Sequence, residues 1–328
     1  MANWNNLPNE IKMKCVKSMN LVTRTRLKMC SKHDKQLVES TKIDMEAVAV
    51  HYVERGEKIC LAVGGKSVGL TGLLIQFFRV GSTKCQIKVS GPHQKTIDSS
   101  NTMLYEALLA FKSIVLDGNI HFENAVIYVP ILNNPIINSA GKIKANQALF
   151  ACGKRMVTID KDAVHWIKKL DPKVLETLLV FQQGEMFGLS KFIEEFNLKY
   201  FSVLPKTDIT NEQMLRLGLQ EGMSVFSTNI DETGINQLLS KIIKQSLQPP
   251  CLFVTRGTKT MDFDKVMENI PTIKTELKSA GVRMNNGNYL RVLDMGHVVA
   301  CGVYPKSGSF DMTTEQGRSH DEHYKPYM

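Results

Sequence analysis

KYFSVLPKTDITNEQMLRLGLQEGMSVFST, residues 199–228, holds a complete structural unit. KYFSV (199–203) and SVFST (224–228) are short runs rich in aromatic and β-branched residues, the composition of strands with a buried face. Between them, Thr210-Asn211-Glu212-Gln213 has the spacing of a capping box, in which the Thr and Gln side chains satisfy each other's backbone N–H groups. Met214 and Leu217 follow at helical spacing. A helix carries the chain back to the end of the sheet where the first strand began. The two strands are therefore predicted to be parallel.

The alternation extends both ways from this stretch. Strand cores AVIYV (125–129), RMVTI (155–159) and TLLVF (177–181) precede it, and CLFVT (251–255) follows. Successive cores stand about 22 to 30 residues apart, the period of a recurring supersecondary unit. Apolar stripes separate several of them: Ala163, Ile167 and Leu170; then Leu189, Phe192, Ile193 and Phe196; then Ile235, Leu238, Leu239 and Ile242 behind a cap at Asp231. Units this short favour a curved, leucine-rich-repeat-like array of strand-helix units, with an ordinary doubly wound sheet as the alternative. In such an array, Thr158 and Ser202 would face outward to bind a substrate if Val157/Ile159 and Phe201/Val203 point inward.

Ahead of the repeat the period is that of strands. AVAVHYV (47–53), KICLAV (58–63) and KCQIKV (84–89) are separated by turn signals at Gly64-Gly65 and Gly81-Ser82. LTGLLIQFFRV (70–80) fits strand or helix equally. SSNTMLYEALLAFKSIVLDG (99–118) reads as a capped helix with Leu104, Leu108, Phe111 and Val115 as its stripe and Gly118 as its end. Near the end, YLRVLDMGHVVACGVYP (289–305) reads as a hairpin turning near Met295-Gly296, and residues 306–328 read as a disordered polar tail. The fold class expected is α+β or α/β: a small helical front piece, then a large domain with a β-rich start and repeated strand-helix units.

Composition narrows the function classes. The 328 residues carry a formal net charge of +9 and a pI near 9.1. The basic residues are spread along the chain, with no basic run interleaved with aromatics, so a soluble basic surface is expected rather than a nucleic-acid binder. The seven cysteines are odd in number, widely spaced and without a CxxC pair, which fits a reducing compartment, the cytosol or nucleus. Lys12, Lys14 and Lys17 interrupt the first apolar positions, unlike a signal peptide. No apolar run reaches the roughly 20 residues of a membrane span.

The chemical motifs are weak. Gly65-Lys66-Ser67 ends like a phosphate-binding loop, but Cys60 stands where GxxxxGK[ST] needs its first glycine; a hairpin turn explains the residues without a nucleotide. His320-Asp321-Glu322-His323 lies in the polar tail without further ligands at fixed spacing. His121 has no evident carboxylate partner, His165 is a helix residue, and Glu194-Glu195 and Asp262–Asp264 read as helix faces or caps. No cofactor, metal or catalytic residue is expected. The alternatives to a binding protein are a nucleotide-binding enzyme using Gly64–Ser67 and a nucleic-acid binder.

WNNLPNEIKMKCVKSMNLVTRTRLKMCSKHDKQLV (4–38) differs from everything behind it. Pro8 suits a helix's first turn; Ile11, Cys15 or Val16, and Met19 form a stripe; Asn20 breaks it. Thr23 is the expected cap of a second helix through Leu27 and Cys30, and Asp34 to Ser40, with Leu37 and Val38, reads as a third helix. Leu7-Pro8, Glu10-Ile11, Val16, Met19, Arg26-Leu27, Met29-Cys30-Ser31-Lys32 and Leu37-Val38 resemble an F-box. His33 and Asp34 stand where many F-boxes carry an aromatic. Placement and the stretch 95–129 are similar to nematode F-box proteins with a C-terminal FTH-like, F-box-associated domain.

The resemblance implies domains at 1–44 (F-box), 45–305 (substrate-binding) and 306–328 (tail). It implies a non-catalytic substrate-recognition subunit of an SCF-type ubiquitin ligase. Leu7, Pro8, Ile11, Val16, Met19 and Leu27 would meet or support the Skp adaptor, and through it a cullin–RING ligase, with Lys28 and Lys32 as rim charge. The back domain would hold a substrate protein, with no membrane or nucleic-acid partner.

Overall fold

The computed structural model describes residues 4–305 except 20, 54–56, 65–71, 91–93, 129–133, 140, 152–159, 182–184, 187, 218–220, 246, 248, 250, 258 and 277. Three helices open it, α1 (Asn9–Ser18), α2 (Leu21–Lys28) and α3 (Lys32–Ser40). Thr23 lies inside α2 rather than at its cap. The cap of α3 is Ser31, whose Oγ accepts the Asp34 N–H at 3.0 Å. A large β-rich body with some helices follows.

That body begins with β1 (Ile43–Val53), β2 (Lys58–Gly64), β3 (Leu73–Val80), β4 (Lys84–Ser90) and β5 (Lys95–Ser99). The undecided stretch LTGLLIQFFRV is thus a strand from Leu73. Next come α4 (Met103–Phe111) running into a π turn at Lys112–Leu116, β6 (Ile120–Tyr128), α5 (Pro135–Asn138), β7 (Lys144–Ala151), α6 (Asp160–Ile167), β8 (Thr177–Phe181) and the two-residue β9 (Glu185–Met186). The remainder is β10 (Tyr200–Thr207), α7 (Asn211–Arg216), β11 (Gly222–Ser227), α8 (Glu232–Lys244), β12 (Cys251–Arg256), α9 (Phe263–Val266), β13 (Thr272–Glu276), β14 (Ser279–Arg283), β15 (Tyr289–Asp294) and β16 (Val298–Tyr304).

The described residues divide into two compact units. One reaches Gly188 and includes Glu195–Asn197; the other is Leu189–Glu194 with the residues from Leu198 on. In the first, the strand order is β8-β7-β6-β1-β2-β3-β4-β5. The first four are parallel and the rest antiparallel. Helix α4 packs on β2, β3 and β4, burying Leu108 and Phe111 against the face that carries Val50, Ile59 and Phe77. Phe111 meets Trp166 of α6 edge-on, with ring centroids 5.2 Å apart. Each such fully buried side chain is worth about 1.5–3 kcal/mol.

In the second unit the order is β10-β11-β12-β16-β15-β14-β13, with β10, β11 and β12 parallel and the others antiparallel. The capping box at Thr210 is present, and Asp231 caps α8 as expected. The terminal hairpin is β15–β16, with Gly296 at φ 80° in its turn.

Within each unit the parallel strands follow one another in chain order, with no switch point such as a doubly wound sheet requires. Right-handed crossovers between strands so ordered all lie on one face. In the second unit α7 and α8 accordingly touch each other. Four of the parallel strands, β6, β7, β8 and β10, with the residues leading into β8 and β10, bury residues three and then two positions apart: Phe122, Ala125 and Ile127; Ala145, Ala148 and Phe150; Leu175, Leu178 and Val180; Leu198, Phe201 and Val203. RMVTI lies outside the described residues. The strand next to β6 is instead KANQALFA, whose Lys, Ala and Gln have the propensity of a helix. Here Ala145 and Ala148 are each 1% exposed, on a buried face of the sheet.

Candidate functional site

The front module is held by a small set of contacts. Val16, Leu37 and Val38 form its core, with Trp4, Met19 and Leu27 packed against it. Trp4 also donates its indole N–H to Asp34 Oδ1 at 2.9 Å, and Ser31 Oγ lies 2.7 Å from Asp34 Oδ2. These two hydrogen bonds, Trp4's first, hold the Asp34 carboxyl below the usual carboxylate range. An aromatic ring therefore does reach the Asp34 neighbourhood, supplied from thirty residues upstream. His33 Nε2 stands 3.2 Å from Asn9 Oδ1, tying α3 to the start of α1.

Arg24, which sequence reasoning missed, locks the module. It is 2% exposed and donates to three carbonyls: Met19 at 3.1 Å, Lys17 at 3.0 Å and Thr41 at 3.4 Å. The end of α1 and the exit toward β1 are thereby fastened to α2. Burial lowers its pKa from the usual arginine value. Its only sequence signal was an arginine in the helix after Asn20.

The six adaptor candidates separate into two groups. Val16 is wholly buried and Met19 and Leu27 are half-buried against it, so these three support the module from inside. Leu7 is half-buried, Pro8 exposed and Ile11 41% exposed. Met13 at 38% and Met29 at 77% join the exposed apolar set; the stripe at three- and four-residue spacing could not include them. Lys28 pairs with Glu39 at 3.6 Å, while Lys32 is exposed.

Elsewhere the residues singled out have structural explanations. Gly65–Ser67 lie outside the described residues, as do His320–His323 and the rest of the 306–328 tail. From Leu73 the chain after Gly64 runs antiparallel to β2, where a phosphate loop would lead into a helix. His121 does have a carboxylate partner: its Nδ1 is 3.2 Å from Asp44 Oδ1 and its Nε2 2.9 Å from Asn146 Oδ1. Strand pairing of β1 with β6 sets Asp44 opposite His121, a register no local reading could supply. His165 Nε2 is buried with no hydrogen-bond partner among the described residues, and burial, followed by Lys169 and Lys168, lowers its pKa from the usual imidazole value.

Glu194 pairs with Arg216 at 3.1 Å, and Asp262 caps α9. Among the described residues no group of three or more metal-ligating side chains gathers, and no helix is long and apolar enough to cross a membrane.

Of the two substrate candidates, Thr158 lies outside the described residues. Ser202 lies on the face opposite Phe201 and Val203, but it is only 3% exposed; Leu204, two positions on, is 50% exposed.

Comparison with known proteins adds one finding. The F-box domain model matches residues 4–45. No curated protein and no solved structure matches the chain. F-box domains in general bind the Skp adaptor of cullin–RING ligases and belong to substrate-recognition subunits that are generally non-catalytic. The three-helix module built around Val16, residues 4–45, is an F-box domain.

Proposed function

We propose that this chain is a non-catalytic substrate receptor of an SCF-type ubiquitin ligase, working in the cytoplasm or nucleus. Its F-box docks the Skp adaptor, and the body behind it holds a substrate protein near the ubiquitin-charged enzyme, raising the effective concentration of the acceptor lysine. The observation that carries this reading is the F-box match on a module that keeps Pro8, Ile11, Met13 and Met29 exposed while only Val16, Leu37 and Val38 form its own buried core. A module with so little core is completed by a partner.

The body is read as a leucine-rich-repeat-like, FTH-type substrate domain. What supports this is the chain-order parallel strands, their buried spacing of three and then two, and the helix-then-strand order of α4 and β6 within residues 95–129.

The test is co-purification of the intact protein with the Skp adaptor, followed by Leu7→Ala with Pro8→Ala. Loss of a hot-spot pair should weaken binding at least about tenfold while helix content is unchanged. An intact protein that does not bind the adaptor, or a double variant that binds as tightly as wild type, removes the reading.

A further inference from the structure

The second unit's sheet has two unlike faces. One carries Met223, Val225, Phe253, Val299 and Leu290, all buried. On the other, strand alternation places Lys206, Phe226, Arg256, Arg291 and Arg283. No Asp or Glu occupies a position on this second face in β10, β11, β12, β14, β15 or β16; edge strand β13 places Glu276 on it, opposite Ser279 and away from the line of the arginines. Arg256 lies over the Phe226 ring, 5.1 Å from its centroid. Arg256 and Arg283 are exposed and Arg291 half-exposed.

The registers align the three arginines. Arg256 pairs with Val298 of β16; Arg291 is one strand beyond β16, opposite Gly302; Arg283 is one strand further, opposite Tyr289, which pairs with Tyr304. Each strand crossed from Arg256 thus corresponds to a step of two residues along β16, so all three lie on one diagonal of the sheet. With neighbouring strands about 4.8 Å apart and a rise of about 3.3 Å per residue, the diagonal runs about 25 Å, with Arg291 about two thirds of the way along. Small residues keep it open: Ala300 lies on the line, and Gly302 and Gly281 flank Arg291. The Tyr304 ring leans over Gly302, where a Cβ would meet it at 3.2 Å.

We infer that this diagonal binds an acidic, extended segment of a partner protein, with carboxylates spaced to meet Arg256, Arg291 and Arg283. The inference rests on the reading of the body as a protein-capturing domain. Charge complementarity selects the occupant: a line of three arginines, with no Asp or Glu position on the strands that carry it, attracts acidic groups and rejects basic ones. Its length suits about eight extended residues. Three arginines over that span are too sparse to follow a polynucleotide, which carries a phosphate at every nucleotide. Phe226 and the tyrosines add apolar contact beside the charges.

The experiment uses the full chain and two fluorescein-labelled probes read by anisotropy. One is a peptide of about eight residues with glutamates near its first, sixth and eighth positions; the other is an oligo-uridylate of similar extended length. The peptide should bind, more weakly as salt rises, and Arg256→Glu with Arg283→Glu should weaken it at least about tenfold. Lys265→Glu, on α9 and off this face, should change nothing. No binding to the intact protein, indifference to the double reversal, or tighter binding of the oligo-uridylate would overturn the inference. Adaptor co-purification from the same preparations separates the two claims. Adaptor binding without peptide binding removes this inference alone; peptide binding without adaptor binding removes the adaptor reading alone.

Discussion

Replacing Asp34 by alanine tests how the F-box holds itself together. The substitution deprives the Trp4 indole N–H and the Ser31 hydroxyl of their acceptor, bonds of 2.9 and 2.7 Å to a carboxylate only 6% exposed. Hydrogen bonds to a charged group contribute about 1.5–3 kcal/mol each, and partial solvent access to this pair brings the joint loss to about 2–3 kcal/mol. At about 1.4 kcal/mol per decade, that is a roughly 30- to 150-fold rise in local opening. Native-state hydrogen exchange reads it directly: amides of α1 and α3 should exchange faster by this factor while those of β6, β7 and β8 stay as they were.

Acid gives the same answer with a sign. Because the folded carboxyl is held below its ordinary value of about 3.9, its contribution is complete above that pH and is lost as pH falls through the lower folded value. Protection of α3 in wild type should therefore fall toward that of Asp34→Ala as pH drops below about 4. Unchanged protection in α1 and α3, or an equal change throughout the chain, would refute the argument that this cluster holds the module.

Three further outcomes follow from particular contacts. Arg24→Met should cost the F-box about 2–3 kcal/mol, seen as faster proteolysis within residues 17–41, and Arg24→Lys should not rescue it because an ammonium lacks the guanidinium fork. Gly234→Ala, at a helix position where alanine normally gains about 1 kcal/mol, should instead lower the melting temperature, because the new Cβ would stand 2.0 Å from Asn211 Oδ1; adding Asn211→Ala should recover only part of the loss, since the Cβ that remains at 211 would still stand 2.9 Å away. Burial pushes the Cys251 thiol up to about 11 and the Cys301 thiol to about 12. At pH 8 only about one in a thousand or fewer of these thiols is ionised, so mass spectrometry should find exposed Cys30 alkylated first and these two only after unfolding.

Much of the fold was legible where the signal is local. The capping box at Thr210, the Asp231 cap and the strands at 177–181 and 251–255 depend on neighbours within a few residues, and each is in place. The three front helices were legible for the same reason, although Thr23 lies within α2 rather than capping it. β7 was not legible: alanines give little periodic contrast, and the strand is defined by its pairing with β6 and β8.

By itself the sequence determined that a small helical piece leads a body of alternating strands and helices, because caps, stripes and turn residues act within one or two turns of chain. Only the tertiary structure decided which side chains those elements bring together. Trp4 reaches Asp34, Arg24 reaches Thr41, and His121 meets Asp44 across separations of 30, 17 and 77 residues. Ile11 is exposed while Val16 is buried on the same helix, and three arginines from different strands fall on one diagonal. Strand order and register set these meetings, and both are chosen by the collective burial of the sheet's apolar face rather than by any short stretch of chain.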